Sequence, residues 1–178
     1  MGWKRVKEQY QISHIVHVTN EGICIGSSFI TNAIIISMNG KIIKRYCDGH
    51  NEDLMRYQRE MDADPELLEF MVKVPDRFEK HLSVFTHIKG QIVEKQCESL
   101  GWPNTTHDGE LMYQNCFSPD LHTMVRLAEQ HIAATTAHLK IRIADTEELL
   151  TELKGRLNAN IDKQVTLQSQ YSISLQEQ

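Results

Sequence analysis

Apolar and polar positions follow two different rhythms along this chain. From about residue 10 to residue 47 the apolar residues come in short β-branched runs. Gln11-Ile12-Ser13-His14-Ile15-Val16-His17-Val18-Thr19 reads as a strand, Asn20-Glu21-Gly22 as a turn, and Ile23-Cys24-Ile25-Gly26-Ser27-Ser28-Phe29-Ile30 as a second strand. Ala33-Ile34-Ile35-Ile36-Ser37-Met38 and Lys41-Ile42-Ile43-Lys44-Arg45-Tyr46 then flank Asn39-Gly40. Asn-Gly between two such runs predicts a two-residue type I′ hairpin turn, with both central residues at positive φ.

Asp48-Gly49-His50-Asn51 closes this meander, and a helix is predicted from Asn51 or Glu52 to about Met61. Asp64-Pro65-Glu66 supplies an N-cap, a proline at the first helical position and an acid in the first turn of a second helix. Its apolar face is Leu67, Leu68, Phe70, Met71 and Val74, and Pro75 stops it. A second hairpin is predicted from Leu82–Ile88 and Gln91–Lys95 around Lys89-Gly90, with a helix from Glu94 to Leu100 as the alternative reading of the second arm.

From Ser118 the period changes to that of a helix. Ser118 is placed to cap it and Pro119 to occupy its first position. Small or apolar residues recur at Leu121, Val125, Ala128, Ile132, Thr135, Leu139, Ile143, Thr146, Leu150, Leu153, Leu157 and Ile161, in steps of three and four. This is a heptad seam with a stutter at Thr135, Leu139 and Ile143. A helix reaching residue 165 would be about 70 Å long, against about 30–35 Å for a 120-residue globule. It must fold back near Gly155 or Asn158, or pair with another chain. The single seam favours pairing, with Thr135, Thr146 and Asn160 trading stability for register. After about Leu167 the Ser/Gln-rich tail is expected to fray. The pattern as a whole predicts an α+β protein: a binding domain over residues 1–117, and an oligomerising helical segment over residues 118–178.

Composition narrows the function classes. The 178 residues carry a formal charge of −5, which argues against nucleic-acid binding through the phosphate backbone. No apolar run approaches the ~18 residues of a membrane span, and no apolar signal core follows the basic Met1–Lys7 start. Cys24, Cys47, Cys97 and Cys116 form no C-x-x-C pair. Cys47-Asp48-Gly49-His50 is half of a zinc site at best, so no metal and no cofactor is expected. Four reduced thiols in a cytoplasmic protein are expected instead.

Residues 101–117 stand apart. Gly101-Trp102-Pro103-Asn104-Thr105-Thr106-His107-Asp108-Gly109-Glu110-Leu111-Met112-Tyr113-Gln114-Asn115-Cys116-Phe117 has neither period, yet is dense in rings, amides and titratable groups. Trp102 and Tyr113 offer faces for stacking. Asn104, Thr105 and Asn115 offer neutral hydrogen bonds, and His107 and Asp108 can titrate. That mixture predicts a concave site for a small anionic or nucleotide-like ligand, with Arg45, Arg77 or Arg126 as anion contacts. The alternative is a structured loop with Asp108-Gly109 as its turn.

The string from Gly101 to Asn115 resembles one found in small uncharacterised bacteriophage and prophage proteins. The resemblance implies a phage accessory protein acting in the host cytoplasm, of a kind that antagonises host defences by binding. Three readings follow. The first is a non-enzymatic oligomeric binding protein that sequesters a small ligand. The second is an inhibitor or adaptor acting on a host protein. The third rests on His17-Val18-Thr19 and His81-Leu82-Ser83, which match the His-x-Ser/Thr units of two-histidine phosphoesterases, with His17, Thr19, His81 and Ser83 as the catalytic set. About one such unit is expected by chance in a chain with nine histidines.

Overall fold

The computed structural model describes residues 1–174, with side chains through residue 170. The chain divides into two compact units, residues 1–128 and residues from Glu129 onward. The boundary falls inside the long C-terminal helix, about ten residues beyond the start of the helical period, because Met124 and Ala128 of that helix are buried in the first unit.

The architecture is α+β, with an N-terminal antiparallel meander, short helices and a long C-terminal helix. It opens on an element that the strand reading missed: helix α1 (Trp3–Gln9). Trp3, Val6 and Tyr10 lie three and four residues apart and are all buried. Two turns are too short to announce a period, and the partners that hold them are distant in sequence. The Gly2 N–H donates to the Val72 carbonyl at 3.0 Å. The Asp76 carboxylate accepts from the Lys4 and Arg5 N–H groups, each at 2.9 Å, so the helix cap comes from some seventy residues away.

The meander is β1 (Ile15–Thr19), β2 (Gly22–Gly26), β3 (Ile34–Ile36) and β4 (Ile42–Lys44), antiparallel and in chain order. Ile23, Ile25, Ile34 and Ile36 share one buried cluster with Val6, Val16, Tyr57, Met61, Leu68 and Val72. The strands are shorter than their apolar runs because those runs also supply loop anchors. Ile12 is buried ahead of β1, and the Ser27 hydroxyl accepts from the Phe29 and Ile30 N–H groups in the turn after β2.

The Asn39-Gly40 turn differs from its predicted form. Only Gly40 has positive φ (74°). Its N–H donates to the Ser37 carbonyl, so the turn spans Ser37–Gly40, and the β3–β4 register shifts between Ile35 and Ile36. The turn with both central residues at positive φ is Lys89-Gly90 (51° and 83°). It joins β5 (Leu82–Ile88) to β6 (Gln91–Cys97), both strands along their whole length.

Helices α2 (Glu52–Ala63) and α3 (Pro65–Lys73) follow their caps. Asn51 Oδ1 accepts from the Leu54 N–H at 3.0 Å, and Asp64 Oδ1 from the Leu67 N–H at 2.9 Å.

Residues 101–117 carry strand structure too brief to show a period: β7 (Asn104–Thr105) pairs with β8 (Leu111–Met112), and β9 (Phe117–Ser118) joins β5 to give a sheet ordered β6-β5-β9. Val84, Cys97, Met112 and Phe117 form a second core cluster, with Trp102 packed against it. The Trp102–Pro103 bond is cis.

Ser118 therefore belongs to β9 rather than capping the last helix. Helix α4 (Leu121–Ser174) starts two residues after Pro119, with the Asp120 carboxylate accepting from the Thr123 N–H at 2.7 Å. It runs through Gly155 and Asn158 unbroken, and continues past Leu167 to Ser174, because the Ser/Gln tail contains no residue that breaks a helix. The last four residues of the tail, 175–178, lie outside the described residues. No helix is long and apolar enough to cross a membrane among the described residues. The four cysteines are free, Cys24 and Cys97 buried and Cys47 and Cys116 exposed.

The two glycine turns are expected to respond differently to substitution. A Cβ at Gly40 would collide with the backbone of Glu69 in α3, whereas nothing lies within 4 Å of one at Gly90. Gly40→Val is expected to cost about 3 kcal/mol or more, from strain plus displacement of α3. Gly90→Ala, with strain alone, should cost about 1 kcal/mol. Chemical denaturation of both variants measures the difference.

Candidate functional site

A cavity of about 370 Å³ opens beside α1. It is lined by Trp3, Lys4, Lys7, Glu8, Gln11 and Ile12 from the N-terminal segment, Phe78 from the chain after α3, and Glu98, Ser99, Asn104, Thr105 and His107 from the end of β6 and the β7 region. This volume falls in the range of small-molecule sites.

One wall is aromatic and apolar. Phe78 and His107 stack at 3.8 Å between ring centroids with planes 7° apart. Trp3 lies 6.1 Å from Phe78, and its indole N–H donates to the His107 carbonyl at 3.2 Å. His81 meets the His107 ring edge-on at 5.0 Å. Burial first, and then His81, push the His107 pKa below the ordinary histidine value; a hydrogen bond to the Lys80 backbone opposes them. Nε2 of His107 is buried and has no hydrogen-bond partner.

The charged groups fall into one satisfied set and one exception. Lys4 Nζ reaches Glu98 at 2.8 Å and Glu8 at 3.6 Å, and donates to the Arg77 carbonyl at 3.2 Å. Burial disfavours its charge, but Glu98 and Glu8 outweigh burial and hold its pKa above the ordinary lysine value. Lys7 is half-buried and makes no ion pair among the described residues, and burial alone pushes its pKa down. A desolvated ammonium without a counter-charge is unfavourable, and an anion placed beside it would relieve that cost.

The structure brings three of the proposed ligand residues to this cavity: Asn104, Thr105 and His107. Asn104 Nδ2 is turned toward the Ser99 carbonyl and hydroxyl, and the Thr105 hydroxyl donates to the Val16 carbonyl at 2.6 Å. Both therefore shape the wall more than they offer free groups.

The other candidates lie elsewhere. Asp108 is held by Lys95 and by the Thr106 hydroxyl, and Lys95 also pairs with Glu110. Trp102 packs on the second core cluster. Tyr113 accepts through its carbonyl from the Cys116 and Phe117 N–H groups, and Asn115 is exposed on that turn. Arg45 makes a two-pronged ion pair with Asp62 at 2.7 and 2.8 Å and borders a separate cavity with His14, Tyr46 and Asn51. Arg77 and Arg126 are exposed.

Nor do the two His-x-Ser/Thr units form a facing pair. His17 is buried in a row with Cys24 and Ile35 across β1, β2 and β3, and the Thr19 hydroxyl lies 3.5 Å from Cys24 Sγ. His81 lies just ahead of β5 in the other sheet, where Nδ1 is 3.1 Å from Gln96 Oε1, and the Ser83 hydroxyl donates to Glu94 at 2.6 Å.

Trp3, Lys4, Lys7, Phe78 and Glu98 were missed in the sequence. The one available signal was the Trp3, Val6, Tyr10 spacing, which places Lys4 and Lys7 together on a helix flank. Among the described residues no group of three or more metal-ligating side chains occurs. Comparison with known proteins finds no matching family model, no matching curated protein and no matching solved structure.

The Asp108 contacts tie the β7–β8 turn to β6. Burial works to raise the Asp108 pKa, but Lys95 and Thr106 outweigh it and hold the carboxyl below its ordinary value. A depressed carboxyl contributes stability above its unfolded pKa of about 3.9, and the contribution is lost as pH falls through the lower folded value. Asp108→Asn is therefore expected to melt below the wild type at pH 7, with the gap closing as pH falls below about 4. A gap that stays constant with pH would assign it to packing instead.

Proposed function

We propose that the protein is a non-enzymatic binding protein whose cavity beside α1 takes a small anionic, partly apolar ligand of mononucleotide size. One observation carries this reading: the half-buried ammonium of Lys7, with no ion pair among the described residues, shares a 370 Å³ cavity with the stacked Phe78 and His107 rings. Lys7 suits a phosphate or carboxylate, and Trp3, Ile12 and the Phe78–His107 pair supply the apolar wall. Catalysis is less well supported, since His81 and Ser83 are engaged with Gln96 and Glu94. The resemblance of residues 101–115 to phage proteins would make such binding a form of sequestration in an infected cell.

A second reading, an adaptor for a host protein, is favoured by Phe29. Its side chain is 95 % exposed at the tip of the turn held by the Ser27 hydroxyl. Loss of host-protein capture in Phe29→Ser would support it.

Mass spectrometry of denatured protein, purified from cells, reads out any bound small molecule, and calorimetric titration with AMP tests the ligand class directly. Lys7→Gln is expected to weaken AMP binding about tenfold or more. Asn115→Ala, outside the cavity, should leave it unchanged. Absence of any released ligand together with no heat from AMP would sink the proposal, as would Lys7→Gln binding as tightly as the wild type.

A further inference from the structure

Every side chain from Glu129 to Gln170 is exposed. A helix in that state lacks the packed face from which most helical stability in proteins comes. Its apolar residues have a longer period than a heptad. Leu139, Leu150 and Ile161 are eleven residues apart, and Ile132 to Ile143 and Thr146 to Leu157 repeat that interval. Of these, Ile132, Leu139, Ile143, Leu150, Leu157 and Ile161 are between 47 % and 59 % exposed. Eleven residues in three turns is about 3.67 per turn, so the stripe stays on one face with a slight right-handed drift.

Two features on this stripe point to a helix as its occupant. Leu139, Arg142, Ile143 and Thr146 surround a surface depression of about 340 Å³. Their i, i+3, i+4, i+7 spacing is that of the four-residue hole that receives a side-chain knob from a paired helix. Glu147 also borders the depression. Neither Arg142 nor Glu147 has an ion pair among the described residues, although Arg156 and Glu152 on the same helix do. Five residues apart, Arg142 and Glu147 are off the i+3 and i+4 spacings that pair within a helix. In a parallel pair that spacing sets Arg142 of one copy across from Glu147 of the other.

We propose that α4 binds a second copy of this chain in parallel and in register, with the six stripe residues forming the seam and two Arg142–Glu147 pairs flanking it. Burial and charge together argue for the direction. The antiparallel register that would also set Arg142 across from Glu147 lays Leu139 on Leu150, and with it Ile161 against Ala128 and Val165 against Met124 of the other copy. Ala128 and Met124 are only 6 % and 2 % exposed, already covered within their own chain. An antiparallel pair centred on Leu150 matches Leu139 with Ile161 and Ile143 with Leu157, but parts Arg142 from Glu147. The parallel arrangement matches each stripe residue with its own copy. This inference concerns the unit from Glu129 onward and is independent of the cavity.

The test uses the full chain with the exposed cysteines replaced, Cys47→Ser and Cys116→Ser. Light scattering at tens of micromolar protein should give twice the 20.6 kDa chain mass. Ile161→Cys should form a disulfide-linked dimer on mild oxidation, because parallel register places the two copies of residue 161 together. Leu150→Glu should weaken association by about 100-fold or more. Arg142→Glu and Glu147→Arg should each weaken it by about threefold, and the double swap should restore it without depending on the Leu150 variant. A monomer mass, a dimer that Ile161→Cys fails to cross-link, a Leu150→Glu variant that is folded and still dimeric, or a mass explained only by a co-purifying host protein each overturns the proposal.

Discussion

The docking of α1 is the constraint on which the first unit depends. Gly2 and Asp76 set it from the two ends of a seventy-residue loop of chain. Gly2 lies so close to α3 that a Cβ there would collide with the Met71 carbonyl, and its N–H is bonded to Val72. Asp76 caps the helix that follows. Once α1 is placed, Trp3 reaches the His107 carbonyl and Lys4 reaches Glu98. A helix of 7 residues would be marginal alone in water. Here it joins the isoleucine core to the segment that leaves β6, and the cavity lies along its flank.

The electrostatics of that region separate holding groups from available ones. Lys95 is balanced by Asp108 and Glu110 and Lys4 by Glu98 and Glu8, as Arg45 is by Asp62 at the separate cavity. These pairs consume charges that could otherwise have been read as ligand contacts. The Asp108 pair secures the β7–β8 turn, while the Val18 N–H donates to the Gly109 carbonyl at 2.7 Å and fixes the same turn to β1. Much of the polar density between residues 101 and 117 is thus used in folding a segment with three two-residue strands, which has little regular hydrogen bonding of its own. What remains unneutralised at the cavity, among the described residues, is Lys7.

The helix from Glu129 onward obeys a different logic. Its interior hydrogen bonds are local, and Thr146, Thr151, Thr166 and Ser169 even return their hydroxyls to the carbonyl four residues earlier. Through Gln170 its apolar side chains are exposed, with no partner among the described residues that would bury them. Sequence and structure agree that this face is unsatisfied, and the eleven-residue interval explains why a strict heptad could be followed only by admitting a stutter.

Local chemistry was legible in the sequence. Asn51 and Asp64 announced their helices because a cap acts within three residues. Lys89-Gly90 announced its hairpin because positive φ is a property of two residues. The continuous period after Leu121 announced α4. Asn39-Gly40 misled in detail because the space around Gly40 is set by Glu69 of α3, which no local pattern reports. For the same reason the site was only partly visible. Asn104, Thr105 and His107 could be singled out by composition, but whether a polar group is spent on folding or left for a ligand depends on partners brought from afar. Asp108 finds Lys95 across a hairpin, and Lys7 finds no carboxylate among the described residues. The sequence by itself determined α2, α3, α4, the β5–β6 hairpin and the exposed apolar helix face, whose causes lie within a few residues. Only the tertiary structure decided which charges are neutralised and where the cavity lies, because both follow from distances between residues far apart in the chain.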